Sequence, residues 1–330
     1  ARPAARLEPS ALNFTQGAGF VNKVEPHGLN FGILTAGPLT ASQGTTHTAN
    51  SGQSGLRRAY PPPMAPEQYS HGHHSSVVGA HAARTAADSA AYLLPFLEPG
   101  MAVLDVGCGP GSITADLANV VEPGPVTGLD PSEDVVASAR KLAAARGLTN
   151  IDFTAGNVYD LDYPDGTFDV VHAHQVLQHL ADPVAALREM RRVTRPGGIV
   201  AVRDADFHGM SWYPELPELA EWMDTYQRIA RGNAAEPDAG RRLVAWVLEA
   251  GFTEFEPSSS NWLYATAERR AWFGEGWAER VLHSAFAEQA LDRELTDSAG
   301  LQRMAEGWRR WAQAADGWFL LPSGEVIAWA

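Results

Sequence analysis

The sequence has little cysteine, little lysine and no long apolar run among its 330 residues. Its one cysteine, Cys108, excludes an internal disulfide and a metal site of several cysteines, which fits the reducing cytoplasm. No segment approaches the roughly 20 apolar residues of a membrane-spanning helix, so we expect no membrane partner. Only Lys23 and Lys141 are lysines, and the net charge of −14 opposes strong binding to nucleic acid or anionic lipid.

The composition changes along the chain and predicts where the folded part begins. Residues 1–63 are rich in Gly, Ser, Thr, Pro and Asn and show no periodic pattern, so we expect a disordered leader ahead of a natural start at Met64. A transit peptide is the alternative, since basic residues outnumber acidic ones there. Residues 64–100 include an alanine-rich helical pattern from Val77 to Leu97 and are predicted to form an N-terminal helical lid.

Short runs rich in β-branched residues alternate with helical patterns over residues 101–258. These runs are predicted as strands: Ala102–Val106, Val126–Asp130, Ile151–Ala155, Phe168–Ala173, Ile199–Arg203 and Phe252–Pro257. The rhythm is typical of βαβ units and predicts an α/β fold with a doubly wound, mostly parallel sheet. Residues 204–237 are interpreted as an insertion after the fifth strand. Residues 259–330 are interpreted as a substrate cap, helical from Glu268 to Ala315, with a closing strand or hairpin.

The sharpest motif is VLDVGCGPG, from Val103 to Gly111, a predicted buried strand that runs into three glycines at alternate positions. Glycine permits left-handed backbone angles and lets the backbone approach a ligand closely. A dinucleotide-binding Gly-x-Gly-x-x-Gly loop would need its third glycine at Ser112. The spacing therefore argues against a nicotinamide-dependent oxidoreductase.

An acidic residue precedes the alternating glycines, and the four positions are Asp105, Gly107, Gly109 and Gly111. This pattern resembles the first motif of the class I S-adenosylmethionine-dependent methyltransferases. The segments Phe168–Pro183 and Arg192–Gly198 resemble later motifs of the small-molecule branch that includes ubiquinone- and menaquinone-biosynthesis methyltransferases. The resemblance implies a Rossmann-like sheet of seven strands with helices on both faces, S-adenosylmethionine as cofactor and S-adenosylhomocysteine as product.

The resemblance also implies which residues hold the cofactor. The loop around Cys108 would hold the methionine part, with Asp105 near its ammonium group. Asp130, followed by Pro131, ends the second strand, where a carboxylate can accept hydrogen bonds from both ribose hydroxyls, although a turn or capping role is the alternative. The remaining candidates lie after the third and fourth strands and in the predicted lid: Gly156, Asn157, Val158, His174, Gln175 and Tyr69.

An asparagine stands where the family usually has an aspartate to recognise adenine. The amide oxygen of Asn157 would still accept a hydrogen bond from the adenine amino group, and the Val158 N–H would donate to a ring nitrogen. We therefore retain Gly156, Asn157 and Val158 as adenine-site candidates.

Methyl transfer from a sulfonium is an in-line displacement, and a base of near-neutral pKa helps when the acceptor is a hydroxyl. His174, just past the fourth strand, and His179, on the following helix, are candidate bases at the predicted mouth of the sheet. Asp204, at the end of the fifth strand, would orient a histidine or bind an amine. The alternatives are a structural role for His179 and a surface ion pair for Asp204.

Residues ahead of and after the core supply substrate candidates. His73 and His74 lie in a histidine-rich segment of the predicted lid, with solvated turn residues as the alternative. Trp212 and Tyr213 in the insertion are predicted to line an apolar pocket for a flat molecule, together with Trp262 and Tyr264. The helix-spaced tryptophans further on are expected in the core: Trp308 and Trp311.

No metal site is expected. The spacing of the lid histidines is irregular, and a magnesium shell built from His172, His174, Asp204 and Asp206 would include two imidazoles where a hard cation prefers oxygen.

The sequence thus predicts a cytoplasmic methyltransferase, monomeric or homodimeric, that methylates an oxygen or nitrogen, less readily a carbon, of a hydrophobic or aromatic small molecule. A module that binds S-adenosylmethionine without catalysis is one alternative, and a nicotinamide-dependent oxidoreductase is another. A nucleic-acid methyltransferase is opposed by the acidic charge and by His172-Ala-His-Gln175 in place of an Asn/Asp-Pro-Pro-Tyr/Phe motif.

Overall fold

The computed structural model describes residues 84–330, so the predicted leader and most of the predicted lid lie outside the described residues. Within that range the strands are β1 Val103–Val106, β2 Val126–Asp130, β3 Ile151–Ala155, β4 Phe168–His174, β5 Thr194–Ala205, β6 Ser211–Tyr213, β7 Glu254–Tyr264 and β8 Trp318–Trp329. The α-helices there are α1 Ala86–Ser89, α2 Ser112–Val121, α3 Glu133–Ala145, α4 Pro183–Val193, α5 Pro217–Gly232, α6 Leu243–Glu249, α7 Ala267–His283, α8 Ala285–Asp292 and α9 Ser298–Gln313.

All of the described strands join one sheet. Its order is β3-β2-β1-β4-β5-β8, with β7 along the far side of β8 and the short β6 paired to the start of β8. Strands β1 to β5 pair in parallel, and β8 runs antiparallel to its neighbours. The predicted doubly wound α/β fold is confirmed, and β6 adds an eighth strand to the seven expected.

The strand order reverses between β1 and β4, which makes this the topological switch point of the sheet. In open α/β sheets, ligands bind in the crevice outside the carboxyl ends of the strands at such a point. The glycine-rich loop after β1 and the histidine-containing end of β4 therefore lie at the expected ligand crevice.

Alternating side chains along each strand bury two faces of the sheet. On β1, Leu104 and Val106 join the apolar cluster on one face, while Val103 joins the cluster on the other. Helix α3 shows how a flanking helix forms: the Ser132 hydroxyl accepts from the Val135 N–H, and Ala139 lies on its fully buried face. Helices on both faces then exclude water from the parallel strands.

Three expectations for the helices were wrong in their extent. The predicted helix ending at Leu97 is, within the described residues, the one-turn α1 followed by a 3₁₀ turn, Leu94–Phe96, because Pro95 cannot donate a helical hydrogen bond. The predicted helix over residues 268–315 is divided into α7, α8 and α9, with Ser284 and Asp297 capping the two later helices. His179 lies in a short 3₁₀ turn, Leu177–His179, not on a helix.

Strands β2 and β3 have the predicted bounds and β1 begins one residue later than predicted, whereas β4, β5 and β7 all end beyond their predicted ends. Strand β7 extends to Tyr264 because it pairs with β8 along its whole length, although its run of serines has weak strand propensity. Among residues 84–330, β7 pairs with β8 alone, and Glu254, Glu256 and Pro257 are residue types that discourage a further strand from adding to its other edge. The closing segment is a single strand, β8, and not a hairpin. None of the helices in residues 84–330 has the length and apolar character to cross a bilayer.

Candidate active site

The glycine-rich loop turns sharply between β1 and α2. Gly107, Gly109 and Gly111 all have left-handed backbone angles, with φ of 66°, 55° and 82°. A Cβ at Gly111 would lie 2.9 Å from the Ala139 Cβ, so the loop packs tightly on α3 there. A Cβ at Gly109 would meet nothing within 4 Å, so the backbone is open at the centre of the loop. The loop is therefore anchored at its end and accessible in its middle.

Asp130 connects the end of β2 to this loop. Its Oδ2 accepts from the Gly109 N–H at 3.2 Å, and its Oδ1 accepts from the Ser132 N–H at 3.0 Å. The structure brings Asp130 and the glycine loop together, as the sequence predicted from matching strand ends.

The segment after β3 adjoins the backbone of Asp130. The Gly156 N–H donates to the Asp130 carbonyl oxygen at 3.1 Å. Asn157 is exposed and its amide oxygen accepts from the Tyr159 N–H at 3.0 Å, while the Val158 side chain is buried. The asparagine thus stabilises a local turn, and its oxygen retains one lone pair for another donor.

Asp105 is buried in a hydrogen-bonded group that sequence reasoning missed. The Thr114 hydroxyl donates to its Oδ2 at 2.5 Å, and Nδ1 of the fully buried His172 lies 2.7 Å from its Oδ1. Asp105 and His172 are partners in the β1–β4 register, so both side chains project from the same face. In the sequence, the alternation of side chains along each strand could indicate which face each residue occupies. Only the register of β1 with β4 shows that the two residues are partners.

The end of β4 positions His174 and Gln175. His174 is buried, and its ring centroid lies 5.8 Å from that of Trp262. Gln175 has a left-handed φ of 54°; its N–H donates to the Arg203 carbonyl at 2.6 Å, and its side-chain oxygen accepts from Arg84 at 2.6 Å. This sharp turn fixes His174 at the mouth of the crevice.

His179 is held as a neutral acceptor. The Ala205 N–H donates to the Gln178 side-chain oxygen at 3.1 Å, which orients that amide so that its nitrogen donates to Nε2 of His179 at 3.0 Å. Burial, and secondarily the positive charge of Arg84, lower the pKa of His179 to about 3. A base this weak removes protons poorly at neutral pH.

Asp204 is fully buried, so the alternative of a surface ion pair is wrong for this residue. Its Oδ1 accepts from the Gln178 N–H at 3.0 Å. Burial raises the pKa of Asp204 to about 8, against the opposing effects of that hydrogen bond and of the positive charge of Arg203. The surface ion pair belongs instead to Asp206, which bonds the Arg241 Nε at 2.7 Å.

A buried arginine faces the same crevice and was also missed. Arg203 is fully buried, and its Nε donates to Glu325 at 3.2 Å and to the Ser260 hydroxyl at 3.1 Å. Its guanidinium carbon lies 4.6 Å from the Trp262 ring centroid, and that of Arg84 lies 5.3 Å from the same ring. Trp262 therefore lies close to two guanidinium groups as well as to the His174 imidazole.

The other aromatic candidates divide between core and surface. Trp212 stacks on Phe319 at 5.7 Å, and Tyr264 stacks on Phe273 at 3.8 Å. Tyr213 is 55% exposed. Trp308 and Trp311 are fully buried, which confirms their predicted core positions. The candidates Tyr69, His73 and His74 lie outside the described residues.

Comparison with known proteins identifies the class of this site. A family model described as a methyltransferase domain matches residues 97–267, which include the glycine loop, Asp130 and His174. The chain belongs to this methyltransferase family. The methyltransferase uses S-adenosylmethionine as its methyl donor.

Named relatives support the same family over most of the chain. The methyltransferase is 36% identical over 267 residues to an uncharacterised methyltransferase of Schizosaccharomyces pombe, covering 78% of this chain and 95% of that protein. It is 30% identical over 288 residues to the probable methyltransferase ltbC of Aspergillus luteorubrus, covering 79% of this chain and 96% of that protein. The demethylmenaquinone methyltransferase of Geobacillus stearothermophilus is 41% identical over 104 residues, covering 31% of this chain and 44% of that protein.

Proposed function

We propose that the methyltransferase transfers the methyl group of S-adenosylmethionine to an oxygen or nitrogen of a hydrophobic or aromatic small molecule. The observation that carries this proposal is the pairing of a buried histidine, His174, with the indole of Trp262 at the carboxyl end of β4. An imidazole can take the acceptor proton, and an indole face can hold a flat acceptor beside it.

The chain has a cradle that fits the cofactor. The open backbone at Gly109 leaves room for the methionine part next to the loop, and the Asp130 carboxylate lies beside that loop at the end of β2, where a carboxylate can accept from ribose hydroxyls. Asp105 is assigned to the ammonium group, and Gly156, Asn157 and Val158 to the adenine. When bound, the sulfonium supplies an electrophilic methyl group.

His174 is assigned as the base. In the reaction a bond forms between the acceptor atom and the methyl carbon, the sulfur–methyl bond breaks, and the acceptor proton moves to the His174 imidazole. His179 is the weaker candidate because its lowered pKa and its bond from Gln178 oppose protonation. Asp204, on the opposite face of β5 from Arg203, is assigned to hold the turn that carries Gln178 and is thus a positioning residue.

A screen of phenols, amines and matched carbon acids for release of S-adenosylhomocysteine tests this proposal. We expect turnover with phenol or amine acceptors and a loss of about 10²- to 10⁴-fold in kcat for His174→Gln, with His179→Gln as the matched control changing kcat less than tenfold. Calorimetric binding of S-adenosylhomocysteine to each variant shows that the cofactor site is intact. Turnover of carbon acids alone, or an unaffected His174→Gln, would contradict the proposal.

A further inference from the structure

His172, the buried partner of Asp105, has no role in the function proposed above. Nδ1 of His172 lies 2.7 Å from Oδ1 of Asp105, and both side chains are almost inaccessible to solvent. An ionised carboxylate only accepts hydrogen bonds, so the imidazole must carry its hydrogen on Nδ1. Because β1 and β4 are neighbours at the switch point, His172 on β4 lies opposite Asp105, the acidic residue of the first motif, and donates a hydrogen bond to it.

A second donor restrains the same carboxylate from another direction. Thr114, in the first turn of α2, donates its hydroxyl hydrogen to Oδ2 at 2.5 Å and is itself fully buried. With one donor on each oxygen, the carboxylate cannot rotate without losing a buried hydrogen bond. One lone pair remains on each oxygen, and its direction is fixed before any ligand arrives.

The negative charge of Asp105 acts on the glycine loop. Burial raises the pKa of the Cys108 thiol, and the negative charges of Asp105 and Asp130 raise it further. Cys108 lies between the first two glycines of the loop, on the path proposed for the methionine part of the cofactor. A fixed negative charge beside this path favours a ligand that carries a positive group there.

We propose that His172 is a positioning residue that orients the Asp105 carboxylate toward the ammonium group of S-adenosylmethionine. The inference rests on the proposed role of Asp105. A carboxylate held by two donors binds an ammonium group without losing rotational freedom, whereas a mobile one would lose it on binding. His172 therefore contributes to recognition of the amino-acid end of the cofactor and not to recognition of its adenosine.

Two ligands distinguish recognition of the amino-acid end of the cofactor from recognition of its adenosine. S-adenosylhomocysteine has the amino-acid group, whereas 5′-methylthioadenosine has the same adenosine and a thioether without it. For His172→Leu we expect S-adenosylhomocysteine binding, measured by calorimetry, to weaken about 10-fold, with 5′-methylthioadenosine binding changed less than about twofold. Asp105→Asn should show the same selectivity.

Two conservative variants provide a rescue test that does not depend on the smaller ligand. His172→Asn places an amide nitrogen near the position of Nδ1, so we expect it to bind S-adenosylhomocysteine within about threefold of the wild type. His172→Gln places its donor near the position of Nε2 and should behave like His172→Leu. This pair also decides the question if His172→Leu fails to fold.

Other outcomes would overturn the inference. Equal weakening of both ligands in His172→Leu, or equal effects of the Asn and Gln variants, would mean that His172 only joins β1 to β4. Unchanged binding in all His172 variants would remove it from cofactor recognition. If Asp105→Asn binds both ligands normally, the assigned role of Asp105 fails and the inference fails with it, whereas an unaffected Asp130→Ala would contradict the proposed cofactor site as a whole.

Discussion

Single residues at the carboxyl ends of the strands have environments that a solvent-exposed site would not give them. Asp204 is a carboxyl group without access to water, and His179 is an imidazole whose pKa of about 3 keeps it neutral at ordinary pH. Gln178 connects them: its backbone N–H donates to the Asp204 carboxyl group, and its side-chain amide donates to the His179 imidazole. The turn after β4 is therefore a small hydrogen-bonded unit built around uncharged groups.

The raised pKa of Asp204 predicts how protein stability depends on pH. The folded-state pKa of about 8 lies above the ordinary value of 3.8, so the folded protein keeps a proton that the unfolded chain releases over this interval. The stability contribution of Asp204 is present below pH 4 and is lost as pH rises toward 8, by at most about 1.4 kcal/mol per pH unit.

Asp204→Asn mimics the protonated acid and removes this titration. We expect the free energy of unfolding of the variant, relative to the wild type, to increase steadily from pH 5 to pH 8 and then to level off. Urea unfolding curves measured across this range test the prediction. Parallel pH profiles for the two proteins would show that Asp204 ionises normally.

At the scale of elements, the helices after β7 surround an aromatic core. Trp308 of α9 lies 4.8 Å from Trp222 of α5 and 5.8 Å from Trp277 of α7, measured between ring centroids. These rings are buried, and they join two helices of the predicted cap to each other and to α5 of the insertion. The cap therefore depends on aromatic packing more than on its surface ion pairs.

Replacing Trp308 with alanine should leave a large cavity among these helices. We expect Trp308→Ala to lower the free energy of unfolding by about 3 to 5 kcal/mol. Trp272→Ala on α7 is the matched control, because this tryptophan is 49% exposed, and it should cost less than about 1 kcal/mol. Similar losses for the two variants in urea unfolding would mean that the aromatic cluster does not carry the stability of the cap.

Strand positions and the glycine loop could be predicted from the sequence because local rules decide them. The buried run Val103–Val106 that opens VLDVGCGPG has few alternatives to a strand, and the left-handed angles after it favour glycine. The pairs Asp105–His172 and Arg203–Glu325 could not be predicted, because the register of distant strands determines which residues face each other. The helix predicted for the alanine-rich segment before β1 was too long, because Pro95 ends the helical hydrogen bonding despite the high helix propensity of the alanines.

At the scale of the whole molecule, the cofactor site proposed above joins residues from β1, β2, β4 and the segment after β3, so binding there should stabilise the complete sheet. S-adenosylhomocysteine at 100 times its Kd should add about 2.7 kcal/mol and raise the Tm by roughly 5 to 10 °C. Thermal unfolding with and without the ligand measures this shift.

Two nearby aspartates provide the control for this stabilisation. Asp130→Ala should reduce the shift in Tm strongly, because the ribose contacts are assigned to this carboxylate, whereas Asp134→Ala, an exposed position at the start of α3, should keep it. A full shift in Asp130→Ala would argue that the ribose binds elsewhere.

The central position of β8 has a consequence for synthesis of the chain. This strand lies between β5 and β7, yet it follows both of them in the sequence. While the ribosome is still translating the residues before Trp318, the outer edge of β5 and the whole of β7 lack their partner, and unpaired edges invite association with other chains. The nascent chain therefore completes this part of its sheet only after β8 has been synthesised, and protection by a chaperone would matter most before that point.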